Sequence, residues 1–140
     1  GLFETYRMED ADSAIVILNS AAGTTKVAID EMRKKGKKVG LLRPRVFRPF
    51  PWQEMCDALK GVKAIAVLDR ADSMNAFGGP LFNEVRSAMY DLDKRPKIFG
   101  RTYGLGGRDY GVKDAMAVCE EVSRVAETGK IETLLKYITL

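Results

Sequence analysis

The chain has 140 residues, of which 46% are hydrophobic and 30% are charged, and this composition predicts one globular domain with its own core. No apolar run approaches the roughly 20 residues needed to cross a bilayer, and the N-terminus lacks signal-peptide architecture, so we expect a soluble domain with no membrane partner. The two cysteines, Cys56 and Cys119, are unpaired in pattern and suit the reducing cytoplasm. The absence of histidine argues against a metal site or a Ser-His or Cys-His nucleophile.

The net charge is +4, and much of the excess lies in the basic run Arg33–Lys38. Such a run could bind nucleic acid, or it could complement the negative end of a helix that stops at Gly36. We favour the helix end, because no aromatic interleaving or RNA-binding motif accompanies the charges. No nucleic-acid partner is therefore predicted.

Hydrophobic periodicity and the glycines and prolines divide the first half of the chain into short elements. These are a linker over 1–12, a strand over 13–18, a helix over about 24–35, a strand over 39–42, a stiff proline-rich connector over 43–51 and a helix over 52–60. In the first helix we expect Val27, Ala28 and Met32 to face the core, together with Thr24.

The second half of the chain continues the alternation. It predicts a buried strand over 65–68, a helix from Leu81 with Pro80 in its first turn, a sheet-edge strand over 97–103, a glycine-rich turn over 104–109, a helix over 112–127 and an amphipathic tail over 131–140. Strands that alternate with helices predict an α/β sandwich built on a parallel sheet. Ligands and partners of such sheets gather at the carboxyl ends of the strands.

One loop at that edge, residues 19–26 with the sequence NSAAGTTK, is a weak candidate for holding an anion through Ser20, Gly23 and Thr24. The loop lacks the spacing of a phosphate-binding loop. A helix cap by Ser20 or Thr24 that needs no ligand explains the same residues, and we favour this interpretation.

The connector carries arginines interleaved with aromatic residues, which is the composition of protein interfaces. The residues are Arg43, Arg45, Phe47, Arg48, Phe50 and Trp52. Surface arginines that cover buried aromatics would give the same pattern, and the sequence leaves both possibilities open. Asp69, Arg70 and Asp72 follow the central strand to the same edge, where ion pairs with the residues of the connector could form. Arg108 and Asp109 could pair with a neighbouring surface, or cap the last helix.

Several stretches, in this order and spacing, resemble the C-terminal part of the α subunit of pyruvate:ferredoxin oxidoreductase. They are YRMEDA (6–11), KVGLLRPRVFRPFP (38–51), VLDRA (67–71), GGPLFNEVRSAMY (78–90) and YGLGGRD (103–109). The resemblance covers most of the chain. It implies a transketolase C-terminal-like domain over 13–140, with a three-layer α/β/α architecture and a largely parallel sheet of about five strands. It also implies that this domain is part of a longer subunit.

The resemblance also implies a function. The whole enzyme oxidatively decarboxylates pyruvate with coenzyme A to acetyl-CoA and CO2, and it uses thiamine diphosphate and iron–sulfur clusters to pass electrons to ferredoxin. In such an enzyme this domain would assemble with other domains or subunits, bind no cofactor itself and contribute no catalytic residue. The isolated chain would be inactive. We expect the assembly surface to include Arg43, Arg45, Phe47, Arg48, Asp69, Arg70, Gly106, Arg108 and Asp109.

Three alternatives remain open at this point. The same role in a branched-chain 2-oxoacid:ferredoxin oxidoreductase differs only in the acid. A free-standing flavodoxin-like module would hold a phosphorylated small molecule on residues 19–26. A nucleic-acid binder would use residues 33–38, which the helix-end explanation disfavours.

Overall fold

The computed structural model describes residues 2–18, 21–45, 50–70, 78–104 and 109–138. The strands within these ranges are β1 (Phe3–Tyr6), β2 (Ser13–Ile17), β3 (Val39–Pro44), β4 (Ala64–Arg70), β5 (Lys97–Tyr103) and β6 (Leu135–Tyr137). The helices are α1 (Ala21–Lys34), α2 (Trp52–Leu59), α3 (Pro80–Met89) and α4 (Val112–Thr128). None of the helices in these ranges is long and apolar enough to span a membrane.

The strands form one sheet in the order β1-β3-β2-β4-β5-β6. Strands β3, β2, β4, β5 and β6 are parallel, and β1 pairs antiparallel with β3. Helices α1 and α4 cover one face, and α2 and α3 cover the other. The predicted three-layer architecture with a largely parallel sheet is confirmed, although the described sheet has six strands and not five.

Burial on both faces explains the continuous apolar runs of the central strands. In β2 the side chains of Ile15 and Ile17 contribute to the core beneath α1 and α4. The alternating residues Ala14 and Val16 contribute to the core beneath α2 and α3. All five residues of β2 are buried, so the strand has no polar face from which its orientation could be read.

Two segments predicted to lie outside the sheet are part of it. Residues 3–6, predicted as linker, form β1, with Glu4 opposite Arg43 on β3. The tail contributes β6, so β5 is an interior strand and the prediction that it lies at the sheet edge is wrong. Both added strands are short and partly exposed, and a strand of three or four residues has too few positions to show an alternation.

Helix α1 begins at Ala21, about three residues earlier than predicted, so Gly23 lies inside the helix. Its buried residues are Ala22, Thr25, Ala28, Ile29 and Met32. Val27, which we expected in the core, is 50% exposed because it lies outside this stripe of residues spaced by three and four. The basic run does end the helix as predicted: Gly36 has a φ of 80°, and Arg33 donates to the carbonyl oxygen of Val39 at 3.2 Å.

Candidate functional site

The candidate site is the edge of the sheet at which the parallel strands β2, β3, β4 and β5 reach their carboxyl ends. Among the residues predicted for it, Ser20, Phe47, Arg48, Gly106 and Arg108 lie outside the described residues. The remaining predicted residues are Gly23, Thr24, Arg43, Arg45, Asp69, Arg70 and Asp109. Their positions decide which of them can meet a partner.

Asp69, near the end of β4, is turned inward. Its side chain is buried, and its two carboxylate oxygens accept hydrogen bonds from the amides of Leu81 and Phe82 at 2.9 and 3.1 Å. These are amides at the start of α3, which have no partner within the helix, so Asp69 caps α3 from another element. Burial raises the pKa of this carboxyl, and the two amide hydrogen bonds oppose the rise. Asp69 therefore belongs to the interior, and its carboxylate is not part of an exposed pairing surface.

The two glycines before α3 fit around this carboxylate. A β-carbon at Gly79 would overlap the side chain of Asp69. Gly78 has a φ of 69°, in the left-handed region, and a β-carbon there would lie 2.7 Å from Cδ2 of Phe82. We did not predict this arrangement from the sequence. The sequence feature that indicates it is an aspartate at the end of a buried strand, followed by Gly-Gly-Pro before the next helix.

Arg43 pairs within the chain. Its Nε lies 2.9 Å from Oε1 of Glu4 on the neighbouring strand β1, and Lys26 reaches the other oxygen of Glu4 at 3.0 Å. The Lys26 hydrogen bond is the main cause of a lowered Glu4 pKa, and Arg43 adds to it. The predicted pairing of Arg43 with Asp69 is thus replaced by a pairing with Glu4. Arg43 is only half-buried, so part of it still faces solvent.

Arg45, Arg70 and Asp109 are exposed at the carboxyl edge. Arg45 extends the pairing of the first strands, because its amide donates to the carbonyl oxygen of Leu2 at 2.8 Å. The guanidinium of Arg70 lies 5.9 Å from the centre of the Tyr103 ring. Among the described residues predicted for the site, these three are the charged residues classed as exposed.

Beside Arg70, two tyrosines form a layer over the end of β5. The rings of Tyr103 and Tyr110 have their centres 5.2 Å apart, and the hydroxyl of Tyr110 lies 3.1 Å from Oγ1 of Thr25 in α1. Burial is the main cause of a raised Tyr110 pKa, so its phenol stays neutral at physiological pH. Helix α4 begins with the amide of Gly111 donating to Asp114 at 2.9 Å. The cap of α4 is therefore formed by Asp114, whereas the sequence analysis allowed a cap by Asp109.

The anion-loop residues Gly23 and Thr24 both lie in the first turn of α1. Thr24 is therefore inside the helix and does not cap it, while Ser20, the other predicted cap, lies outside the described residues. Gly23 is exposed, and a β-carbon there would meet no atom within 4 Å. Binding of an anion at this turn remains a prediction.

The thiols do not fit an iron–sulfur cluster. Cys56 lies in the core under α2 and α3, and Cys119 lies in the core under α1 and α4, on the opposite face of the sheet. Burial raises the pKa of both thiols, that of Cys119 to about 12, whereas cluster ligands are thiolates. Within the described ranges no three histidine, cysteine, aspartate or glutamate side chains are grouped to hold a metal ion. The described residues offer no place for a cluster.

Residues 11–115 match the family described as pyruvate:ferredoxin oxidoreductase core domain II. Two curated relatives illustrate its range. The chain is 40% identical over 129 residues to the pyruvate synthase subunit PorA of Methanosarcina barkeri, covering 92% of the chain and 32% of that protein. It is 42% identical over 141 residues to the ketoisovalerate oxidoreductase subunit VorA of Pyrococcus horikoshii, covering 99% and 35%.

Solved structures share the fold. A 2-oxoglutarate:ferredoxin oxidoreductase from Magnetococcus marinus superposes with a TM-score of 0.62 at 18% identity, covering 86% of this chain and 19% of that one. A split-gene transketolase superposes with a TM-score of 0.64 at 13% identity, covering 88% and 42%. The chain spans about a third of the length of the two curated relatives.

Proposed function

Because the chain belongs to the pyruvate:ferredoxin oxidoreductase core domain II family, we propose that it is the assembly domain of a 2-oxoacid:ferredoxin oxidoreductase. The reaction of the whole enzyme would be the oxidative decarboxylation of pyruvate with coenzyme A to acetyl-CoA and CO2. Thiamine diphosphate and iron–sulfur clusters would act elsewhere in the enzyme, and ferredoxin would accept the electrons. The family match across residues 11–115 is the observation that carries this proposal.

The chemistry of the described residues supports a role in assembly. Both thiols are buried and protonated, and the sequence supplies no histidine. The buried carboxylate of Asp69 is occupied by two backbone amides. The buried guanidinium of Arg101 is held by Glu121 and by the carbonyl oxygen of Gly100. These polar groups of the interior hold the domain together, so the proposal places the reaction on other parts of the enzyme.

The proposed assembly surface is the carboxyl edge around Arg45, Arg70 and Asp109, extended by the exposed aromatic residue Trp52. All three charged residues are exposed, and Trp52 is 58% exposed at the start of α2. Arginine and tryptophan are the residues that most often dominate binding energy in protein interfaces. The ion pair of Arg43 with Glu4 makes Arg43 a weaker contributor than the sequence alone suggested.

The choice of acid needs a direct test, because a pyruvate synthase subunit and a ketoisovalerate oxidoreductase subunit are almost equally similar to the chain. We would tag the chain in the source organism, purify the assembly under anaerobic conditions and identify its components by mass spectrometry. The assembly would then be assayed for coenzyme A-dependent dye reduction with pyruvate and with 2-ketoisovalerate. We expect thiamine diphosphate and iron–sulfur subunits to copurify and pyruvate to be the better substrate. Preference for 2-ketoisovalerate would change the acid, and purification without such subunits would overturn the proposal.

The surface is tested by charge reversal in the same tagged chain. Arg45→Glu combined with Arg70→Glu is expected to reduce copurification of the other subunits at least tenfold, as loss of interface arginines commonly does. The matched control is Arg86→Glu combined with Arg124→Glu, two exposed arginines on α3 and α4. Equal recovery with both pairs would place the assembly surface elsewhere while leaving the family role intact.

A further inference from the structure

The opposite edge of the sheet carries an open pocket of about 720 Å3 where β4 and β5 begin. Asp93 is the acidic residue of its lining. The cationic residues of the lining are Lys60, Lys63, Lys94, Arg95 and Lys97. The pocket is thus ringed by five positive charges against one negative charge.

This second basic cluster is separate from the run at the end of α1, in which Arg33, Lys34 and Lys37 have ion-pair partners within the chain. There Arg33 pairs with Asp10 at 2.7 Å, and Lys37 pairs with Glu127 at 2.7 Å. In contrast, none of the four pocket lysines has an ion-pair partner among the residues that the structure describes. Within the described residues, the lysines of the second cluster therefore lack ion pairs like those that hold three cations of the first.

The backbone brings two of the pocket lysines close together. The amide of Lys97, the first residue of β5, donates at 2.9 Å to the carbonyl oxygen of Lys63, which immediately precedes β4. The guanidinium of Arg95 is held by Tyr90, through its carbonyl oxygen at 3.4 Å and over its ring at 5.2 Å. Like charges grouped around one pocket repel one another, and an acidic partner would relieve the repulsion.

The type of cation and the backbone around it indicate which anion fits. Helices α2 and α4 end at this pocket, so their carbonyl ends face it, whereas phosphate sites are typically built from the amides at helix N-termini. Four of the five cations are lysines, which are flexible point charges without the bidentate geometry that selects phosphate. An apolar floor formed by Val62, Leu92, Val125 and Ala126 adds a surface suited to protein contact.

We propose that this basic pocket is a docking site for an acidic surface of a partner protein. Its lysines are all exposed, so they would steer the partner and form the charged rim of a contact whose centre is the apolar floor. The site lies at the amino edge of the sheet, away from the assembly surface proposed above. The inference does not depend on which oxidoreductase contains the domain.

The test uses the 140-residue chain and a fluorescent oligoglutamate peptide that ends in a leucine-rich segment, with binding followed by fluorescence anisotropy. Lys60→Gln, Lys94→Gln and Lys97→Gln are combined in one variant, which we expect to weaken binding about tenfold because each exposed charge pair contributes a few-fold at most. The matched control combines Lys113→Gln, Arg124→Gln and Lys136→Gln, which removes the same charge from exposed residues that do not line the pocket. The control should bind like the unchanged chain, and both variants should keep its thermal midpoint because all six side chains are exposed.

Location and ligand class are tested in parallel. Backbone amide shifts on peptide addition should be largest at Val62, Lys63 and Lys97. ATP and inorganic tripolyphosphate serve as the alternative anions, and the proposal expects both to bind more weakly than the peptide. Stronger binding of either phosphate compound would overturn the proposal in favour of a phosphate ligand. Equal loss of peptide binding in the two variants, or no binding at all, would also overturn it.

Discussion

The carboxylate of Asp69 occupies the space into which a side chain at Gly79 would project. It cannot move away freely, because its oxygens hold the amides of Leu81 and Phe82 at the start of α3. The end of one strand and the beginning of the next helix are therefore fitted to each other at a single residue pair.

The first prediction concerns this close fit. Gly79→Ala is expected to lower the free energy of unfolding by about 1–3 kcal/mol, the usual cost of inserting a group into a packed interior. Urea denaturation followed by circular dichroism measures it. Gly23→Ala is the matched control: a β-carbon there meets no atom within 4 Å, and Gly23 lies in helix α1, so we expect a gain of about 0.5–1 kcal/mol. Wild-type stability of Gly79→Ala would show that Asp69 has another position open to it.

The second prediction concerns the charge of Asp69. Asp69→Asn replaces one accepting oxygen by an NH2 group, which faces a backbone N–H donor. The substitution should therefore lower the free energy of unfolding by about 1–3 kcal/mol at neutral pH, the cost of an unsatisfied buried polar group. Because burial raises the pKa of Asp69 above its ordinary value of 3.8, the folded chain takes up this proton at a higher pH than the unfolded chain. The contribution of the carboxyl to stability is then largest below pH 3.8 and is lost as the pH rises through the raised pKa.

The difference in unfolding free energy between the wild type and Asp69→Asn should consequently grow on acidification from neutral pH. Urea titrations of both proteins at several pH values measure the difference, in which the other carboxyls cancel. A difference that shrinks on acidification would mean that the two amide hydrogen bonds outweigh burial and lower the pKa.

Part of this arrangement could be predicted from sequence. The strand, the polar turn and the helix over residues 64–89 follow from the apolar run of β4, from Pro80 and from the helical spacing of Leu81, Val85 and Met89. The role of Asp69 could not be predicted, because its partners are backbone amides, which every residue except proline possesses. A carboxylate at the edge of a sheet can point outward to a partner or inward to a helix, and only the packing of α3 decides between them.

The two outer strands show a second limit of sequence reasoning. Residues 3–6 and 135–137 are partly exposed, and a short strand at the edge of a sheet owes its conformation to the strand beside it. Its own residues carry little β signal. The interior strands β2 and β4, which are covered on both faces, were predicted within two residues at each end because burial dictates their apolar composition.

The third prediction concerns the buried ion pair between Arg101 on β5 and Glu121 on α4. The Arg101 side chain is 1% exposed, and its Nε donates to Glu121 at 3.0 Å. Glu121→Ala leaves this guanidinium buried without its carboxylate and should cost about 3–5 kcal/mol. The double variant Arg101→Met with Glu121→Leu removes both charges and should cost less than Glu121→Ala alone. Urea denaturation of Arg101→Met, Glu121→Leu and the double variant completes a double-mutant cycle and measures the coupling, and additive losses would contradict the prediction.

The fourth prediction concerns Glu4, which joins β1 to β3 and α1. Its pKa is lowered chiefly by the hydrogen bond from Lys26, so its contribution to stability is present above its ordinary pKa of 4.5 and is lost as the pH falls through the lowered value. Glu4→Gln should therefore lose about 1 kcal/mol or less at neutral pH, the range for ion pairs near the surface. The loss should disappear in acid, as followed by thermal unfolding. Glu31→Gln is the control, because its pair with Lys34 is largely exposed and should contribute almost nothing.

The fifth prediction concerns the thiols. Cys119 is fully buried and its pKa is raised to about 12, whereas Cys56 is 6% exposed. The thiolate is the reactive form, so the folded chain should react slowly with a disulfide reagent at neutral pH, Cys119 more slowly than Cys56. Both should react at once in denaturant, and single Cys→Ser variants assign each phase. Rapid reaction of Cys119 in the folded chain would show that α4 opens readily.

Strands β1 and β6 also cover sheet edges on which another copy of the molecule could add a strand. An unpaired strand edge is a template on which another chain can add a strand, and long apolar edges lead to aggregation. Without β1 and β6, the interior strands β3 and β5 would present such edges. The four residues of the antiparallel strand β1 cover β3, and the three residues of β6 cover β5. The outermost edges of the described sheet are short and carry Glu4 and Lys136, and both features disfavour growth of the sheet from one molecule to the next.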